Sequence, residues 1–151
     1  ISEAAGYFGM IGGQVVDIQS EGKVPDYETL HYIHTRKTAV LILAAIRSGA
    51  VLSNATDAQV SALSEYGRNI GLAFQIADDL LNVEGDPNVM GKDTGSDARR
   101  GKLTFPAMIG VVESYKRAQH HIDVALAGIQ GFNQKAEPLR MIASYILERR
   151  A

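Results

Sequence analysis

Apolar residues return every three or four positions along almost the whole chain. No stretch alternates apolar and polar residues in the manner of a half-buried strand. The pattern predicts an all-helical protein. Helical periodicity covers residues 2–19, resumes at Tyr27 and continues to Arg47, with a break expected around residues 36–38. The longest segment is predicted over residues 57–83. A fourth helix is predicted from Thr104 and Pro106 to about Ala127, and a last one over residues 136–149. On the longest segment, Leu63, Gly67, Ile70, Phe74, Ala77 and Leu81 form one stripe. Ser64, Arg68, Gly71, Gln75, Asp78 and Asn82 form the opposite, more polar one.

The punctuation agrees with this division. Asp26 stands directly before Tyr27, with Glu28 and Thr29 in the first turn, as an N-cap does. Thr56 and Gln59 have the spacing of a capping box. Pro106 is tolerated in a first helical turn, and Gly128 and Gly131 close the helix it opens. Residues 21–25 and 49–54 read as connectors. Gly6, Gly9, Gly12 and Gly13 all fall inside the first predicted helix, where each costs about 1 kcal/mol relative to alanine. Such a cost is tolerated where a second helix must come very close or a bulky ligand needs room. Gln14 and Asp17 are expected to share a face of that helix. Residues 84–101 lack helical patterning and combine glycines with Lys92, Asp93, Asp97, Arg99 and Arg100, a mixture that suits a covering loop over an anionic ligand.

Composition narrows the classes. With 151 residues, 46% apolar and 21% charged, one domain with a real core is expected. A net charge of −2 leaves no electrostatic footprint for nucleic acid. The absence of cysteine excludes disulfides and thiolate metal sites, and a reducing, cytoplasmic setting is expected. The longest apolar run, residues 39–46, is too short for a membrane span. Ile1 already lies within helical patterning, so the chain is expected to begin inside a larger protein whose preceding part contacts the first helix.

The densest chemistry lies in residues 74–82. Asp78 and Asp79 stand near the C-terminal end of the longest helix, where the macrodipole disfavours negative charge and adjacent carboxylates repel one another. On a helical period Gln75, Asp78 and Asn82 share a direction, with Asp79 about 100° round. This arrangement points to a bound cation. Hard oxygen ligands at one-turn spacing suit Mg²⁺, which takes one or two carboxylates and completes its octahedron with water and phosphate oxygens. The competing reading is the hydrated face of an amphipathic helix. Lys37, Lys92 and Lys102 are compact charges fit for a diphosphate, or else surface lysines; each flanks a helix end or the glycine-rich loop. His31 and His34 sit at i, i+3 with no third metal ligand near them in sequence. His120 and His121 are expected to be solvated. Gly91-Lys92 and Gly101-Lys102 lack the spacing of a P-loop.

Four motifs occur in a fixed order: Gly12-Gly13-Gln14-Val15-Val16-Asp17; His34-Thr35-Arg36-Lys37-Thr38; Phe74-Gln75 followed by Asp78-Asp79; and Gly91-Lys92 through Gly95, Asp97, Gly101-Lys102 and Thr104 to Pro106. Together they resemble the C-terminal half of a trans-isoprenyl diphosphate synthase, closest to the bacterial farnesyl and geranylgeranyl diphosphate synthases. The resemblance spans essentially the whole chain. It implies an all-α bundle of the isoprenoid synthase type, of which residues 1–151 are the C-terminal portion of a single domain, usually in a homodimer. It also implies a prenyltransferase that joins isopentenyl diphosphate head-to-tail to an allylic diphosphate, dimethylallyl or geranyl, with Mg²⁺ as cofactor and farnesyl diphosphate as the expected product.

By matched position, the resemblance makes Asp78, Asp79 and Asn82 the metal-binding residues, with Asp78 the direct ligand. Asn82 stands where the family usually carries a third aspartate, so it brings an oxygen but no charge. Lys37, Thr38 and Gln75 match catalytic positions, Lys37 on the allylic diphosphate and Thr38 and Gln75 near the reacting carbons. Lys37, Lys92, Lys102 and Gln14 match substrate-binding positions, and Asp97 the loop beyond the motif. The family's first aspartate-rich motif and its isopentenyl diphosphate site lie in an N-terminal half that this chain does not contain, so the isolated chain is expected to be inactive. Two other readings stay open on the residues: a non-catalytic, synthase-like helical subunit, which Asn82 would suit, and a class I terpene cyclase.

Overall fold

The computed structural model describes residues 1–24, 26–84, 97 and 101–149. These residues form helices and turns, with no strand among them. In chain order the elements are α1 (Ser2–Ala5), α2 (Met10–Ser20), α3 (Tyr27–His34), a π-helical segment (Thr35–Ala39), α4 (Val40–Leu52), α5 (Asp57–Glu84), α6 (Phe105–Ile109), α7 (Val111–Gly128), a 3₁₀ turn (Gln134–Ala136) and α8 (Glu137–Glu148).

The first expected helix is two. Gly6 takes an extended conformation and Gly9 a non-helical one, and together they break the run. At the next boundary Asp26 caps α3 as expected, accepting from the N–H groups of Glu28 and Thr29. The break foreseen near residues 36–38 is a π-turn rather than an interruption, and α4 continues past Gly49 to Leu52. The Thr56–Gln59 capping box forms in both directions, at 2.9 and 3.3 Å. Thr104 accepts from the Ala107 N–H to open α6. Gly110, at φ 82°, then splits α6 from α7, where one helix had been expected. An L-residue with a side chain is disfavoured at that φ, so the chain changes direction there.

The 28-residue α5 is the axis of the fold. Its two stripes do not divide into core and solvent. On the supposedly polar stripe Ser64 and Gly71 are buried, while Gln75 and Asn82 are half-buried. A helix enclosed on most sides buries residues all round. One apolar cluster joins α5 to α7 and α8 through Tyr66, Ile70, Ala73, Ile122, Ala125 and Ile146. A second joins α5 to α3, α6 and α7 through Leu30, Ile33, Ile76, Leu80, Phe105 and Ala118. The Tyr66 hydroxyl ties the first cluster to α8 by donating to the Leu139 carbonyl at 2.7 Å. His121 is half-buried on α7, not solvated; its Nδ1 lies 2.9 Å from the Asn69 amide oxygen of α5.

Two glycines place the π-segment. A Cβ on Gly13 of α2 would lie 2.8 Å from the Arg36 carbonyl carbon and Lys37 Cα, and closer still to the Lys37 backbone nitrogen. One on Gly71 of α5 would lie 2.5 Å from the Cα and Cβ of Ala39. Helices α2 and α5 therefore grip the π-segment from two sides at distances only glycine permits. Single π-turns inside α-helices gather at functional sites, and this one carries Lys37 and Thr38.

Candidate active site

The grip of Gly13 and Gly71 brings together four elements whose polar side chains form one seam. Asp17 of α2 is buried, and its Oδ2 meets Lys37 Nζ at 2.6 Å. The next side chain turns to α5 instead: Thr38 Oγ1 donates to Gln75 Oε1 at 2.7 Å. Gln75 stands one helical turn before Asp79 on α5. Asp79 is 5% exposed, and its Oδ2 accepts the backbone N–H of Phe105, the first residue of α6, at 2.9 Å. His34 Nε2 stands 3.5 Å from the same oxygen.

Burial governs the charges inside this seam. It pushes the Asp79 carboxyl up to about 7; the N–H of Phe105 opposes the rise, and the carboxylates of Asp78 and Asp97 add to it. Burial also drives the His34 imidazole down to about 3, with the nearby charge of Lys37 acting in the same direction. His34 is therefore a neutral ring at physiological pH.

The adjacent aspartates have opposite surroundings. Asp78 is exposed and Asp79 is enclosed, because a step of about 100° on a largely buried helix carries a side chain from the open side to the core. Asn82 is half-buried, and its Oδ1 accepts the N–H of Asp97 at 3.3 Å. Asp97 also pairs with Lys102 at 3.0 Å, and its carbonyl accepts the Lys102 N–H. Gln14, one turn before Asp17, is exposed. Lys92 lies outside the described residues. The structure thus gathers Lys37, Thr38, Gln75, Asp78 and Asp79 into one region, sets Asn82 and Lys102 around Asp97, and leaves Gln14 on the outer side of α2.

Two neighbours were not foreseen. Arg149, just beyond α8, lies over the Phe74 ring at 4.1 Å and donates to the Phe74 carbonyl at 3.2 Å, within electrostatic reach of Asp78. The only signal for it was a basic residue at the end of an amphipathic helix. His34 was noted as half of a weak metal pair. Its burial was foreshadowed by Leu30 and Ile33 on the same helix face.

Comparison with known proteins decides the class. The polyprenyl synthetase family model matches residues 3–143. The chain belongs to that family. Polyprenyl synthetases to which it is similar include a protein named dimethylallyltranstransferase from Fischerella ambigua, 43% identical over 150 residues, which are 99% of this chain and 43% of that protein. Farnesyl diphosphate synthase of Escherichia coli is 37% identical over 153 residues, 99% of this chain and 51% of the enzyme. The crystal structure of a geranyltransferase from Helicobacter pylori, complexed with magnesium and isoprenyl diphosphate, superposes with a TM-score of 0.79 at 29% identity, covering 97% of this chain and 48% of that one. The all-α isoprenoid synthase fold is shared with such structures. The chain spans about half the length of the curated relatives it matches.

The donors present fit a magnesium ion of the family's kind. Asp78 is a hard, accessible carboxylate, while among the described residues no three acidic or histidine side chains converge into a closed cage. Mg²⁺ needs no such cage, because it keeps water and substrate phosphate in most of its octahedron. Asp79 is turned inward, onto the Phe105 N–H of α6. No helix among the described residues is long and apolar enough to cross a membrane.

Proposed function

We propose that residues 1–151 are the C-terminal portion of one synthase domain that transfers an allylic prenyl group, dimethylallyl or geranyl, to isopentenyl diphosphate. In this reaction the allylic C1–O bond breaks and diphosphate leaves. The alkene carbon of isopentenyl diphosphate forms the new C–C bond, and the proton lost from the adjacent carbon goes to the departing diphosphate. The product is farnesyl diphosphate, the product named for the Escherichia coli relative at 37% identity. The preceding half of the domain supplies the facing aspartate motif and the isopentenyl diphosphate site. The whole works as a cytoplasmic homodimer. Exposed Ile11, Val15 and Ile18, at helical spacing along α2, are consistent with a partner surface there.

The observation that carries this reading is the placement of Lys37, Thr38 and Gln75 around the helix turn that bears exposed Asp78. Lysine has three N–H donors, and Asp17 occupies one of them. The others are free to meet diphosphate oxygens, because the Lys37 side chain keeps 30% of its surface exposed. Asp17 also fixes the direction of the ammonium before substrate arrives, which lowers the ordering cost of binding. Thr38 and Gln75 place a hydroxyl and an amide dipole where positive charge develops on the allyl group. Magnesium, when bound at Asp78, neutralises the leaving diphosphate. Asn82 has a role that needs no charge, since its oxygen holds the Asp97 backbone. Its departure from aspartate therefore does not favour a non-catalytic subunit.

The test is Asp78→Ala in the complete protein. Turnover is expected to fall at least 100-fold with an unchanged melting temperature. Turnover within a few-fold of wild type contradicts the metal role.

A further inference from the structure

We propose that His34 is a positioning residue for prenyl transfer: its imidazole, set between the Asp79 carboxylate and the Phe105 ring, fixes where Asp78 and Lys37 stand relative to one another. The proposal rests on the prenyltransferase reading above.

His34 and Thr38 are one helical turn apart on one strand of helix, and Gln75 and Asp79 are one turn apart on α5. Two contacts join them: His34 Nε2 stands 3.5 Å from Asp79 Oδ2, and the Thr38 hydroxyl donates to Gln75 at 2.7 Å. Gln75 and Asp79, one turn apart on α5, complete the frame. Two rungs fix the register of two helices where one would leave them free to slide or rotate. Lys37 projects from one side of this frame and Asp78 from the other, so the separation of ammonium and carboxylate follows from the rungs. The lower rung also holds α6, because the oxygen facing His34 is the one that accepts the Phe105 N–H.

Packing alone does not account for a histidine here. The residue is 3% exposed, its ring lies 5.1 Å from that of Phe105, and its Nδ1 has no hydrogen-bond partner among the described residues. Leucine or methionine would fill the space without burying an unmet polar atom. The imidazole is explained by its other nitrogen: with the proton on Nε2, the ring presents a polar N–H 3.5 Å from Asp79 Oδ2.

The experiment is a Mg²⁺ titration of turnover in the complete protein for wild type, His34→Leu, His34→Met and His34→Gln, with melting temperatures measured alongside. The apolar variants are expected to raise the Mg²⁺ concentration at half-maximal rate about tenfold and to lower kcat about tenfold. The KM for isopentenyl diphosphate, bound by the other half of the domain, should stay within twofold. His34→Gln, whose amide can point an N–H at Asp79, is expected to recover most of both losses. A residue that served stability alone would lower the melting temperature and leave the Mg²⁺ half-saturation where it was. If neither apolar variant folds, Asp79→Asn weakens the same rung from its other end, and an unshifted half-saturation there overturns the proposal. A wild-type protein with no prenyl transfer overturns the functional reading and this proposal together. An active wild type with unchanged Mg²⁺ dependence in the variants overturns this proposal alone.

Discussion

Replacing Gly71 with alanine tests the architecture beneath the site. A helix interior normally gains about 1 kcal/mol from glycine to alanine. At Gly71 the added Cβ would stand 2.5 Å from both Cα and Cβ of Ala39, a residue 4% exposed. Carbon atoms rest at about 3.5–4.0 Å, so α5 and the π-segment must part by about 1 Å. The obstacle is backbone and a methyl group rather than the end of a flexible chain, so a rotamer change cannot relieve it. Overpacking of this kind costs about 1–3 kcal/mol, which outweighs the propensity gain at its upper range. The Gly49→Ala change supplies the control. Gly49 also lies inside a helix, exposed, and a methyl group added there would meet nothing within 4 Å. The two substitutions are therefore expected to differ by about 2 kcal/mol in denaturant melts, with Gly49→Ala stabilising and Gly71→Ala destabilising. Activity should separate them further. Lys37 and Thr38 directly precede Ala39, and a displacement of reacting groups by about 1 Å costs about 100-fold in rate. Equal stability of the two variants, with full turnover in Gly71→Ala, would refute the claim that α5 grips the π-segment at glycine-only distance.

Three further outcomes are expected. His121 is held down to about 4 by burial, with His120, Arg117 and His31 adding to the effect. Its folded pKa lies below the ordinary 6.5, so stability is full above pH 6.5 and falls as pH drops toward 4. With the side chain only half-buried, about 1 kcal/mol is expected across that window, and His121→Gln should flatten the melting-temperature profile there. Tyr66→Phe removes the donor to the Leu139 carbonyl in the α5–α8 contact; a loss of about 1–2 kcal/mol is expected in urea melts, with Mg²⁺ dependence unchanged. Asn82→Asp keeps an oxygen acceptor for the Asp97 N–H and should retain turnover within a few-fold, whereas Asn82→Leu should lose both stability and rate.

Local chemistry made the helix starts readable in advance. Asp26 and Thr56 with Gln59 each cap the helix they were expected to cap, because a side-chain oxygen two or three residues ahead of orphan N–H groups acts within its own turn. Interruptions were harder to read. Gly6, Gly9 and Gly110 sit in apolar periodicity that continues straight across them, and whether a glycine bends or merely tolerates a neighbour depends on packing. The same limit applies to the π-turn. The sequence marks a weak point near Thr38, but the extra residue is held by contacts with α2 and α5 that lie far away in the chain. The resemblance grouped Lys37, Thr38, Gln75 and the aspartate pair, and these side chains do lie in one region. It could not divide the pair into an outward Asp78 and an inward Asp79, because that division depends on which sides of α5 are covered. His121 escaped for a similar reason. A histidine on a mixed helix face reads as wet until the helix that buries it is known.

The most direct test is a crystal structure of the complete protein with Mg²⁺ and an unreactive allylic diphosphate analogue. A metal ion is expected at about 2.1 Å from an Asp78 oxygen, with Lys37 Nζ on the diphosphate and Asp79 still seated on the Phe105 N–H. A diphosphate bound away from Asp78 and Lys37, or metal coordinated by Asp79 with its contact to α6 broken, would contradict the metal role assigned to Asp78.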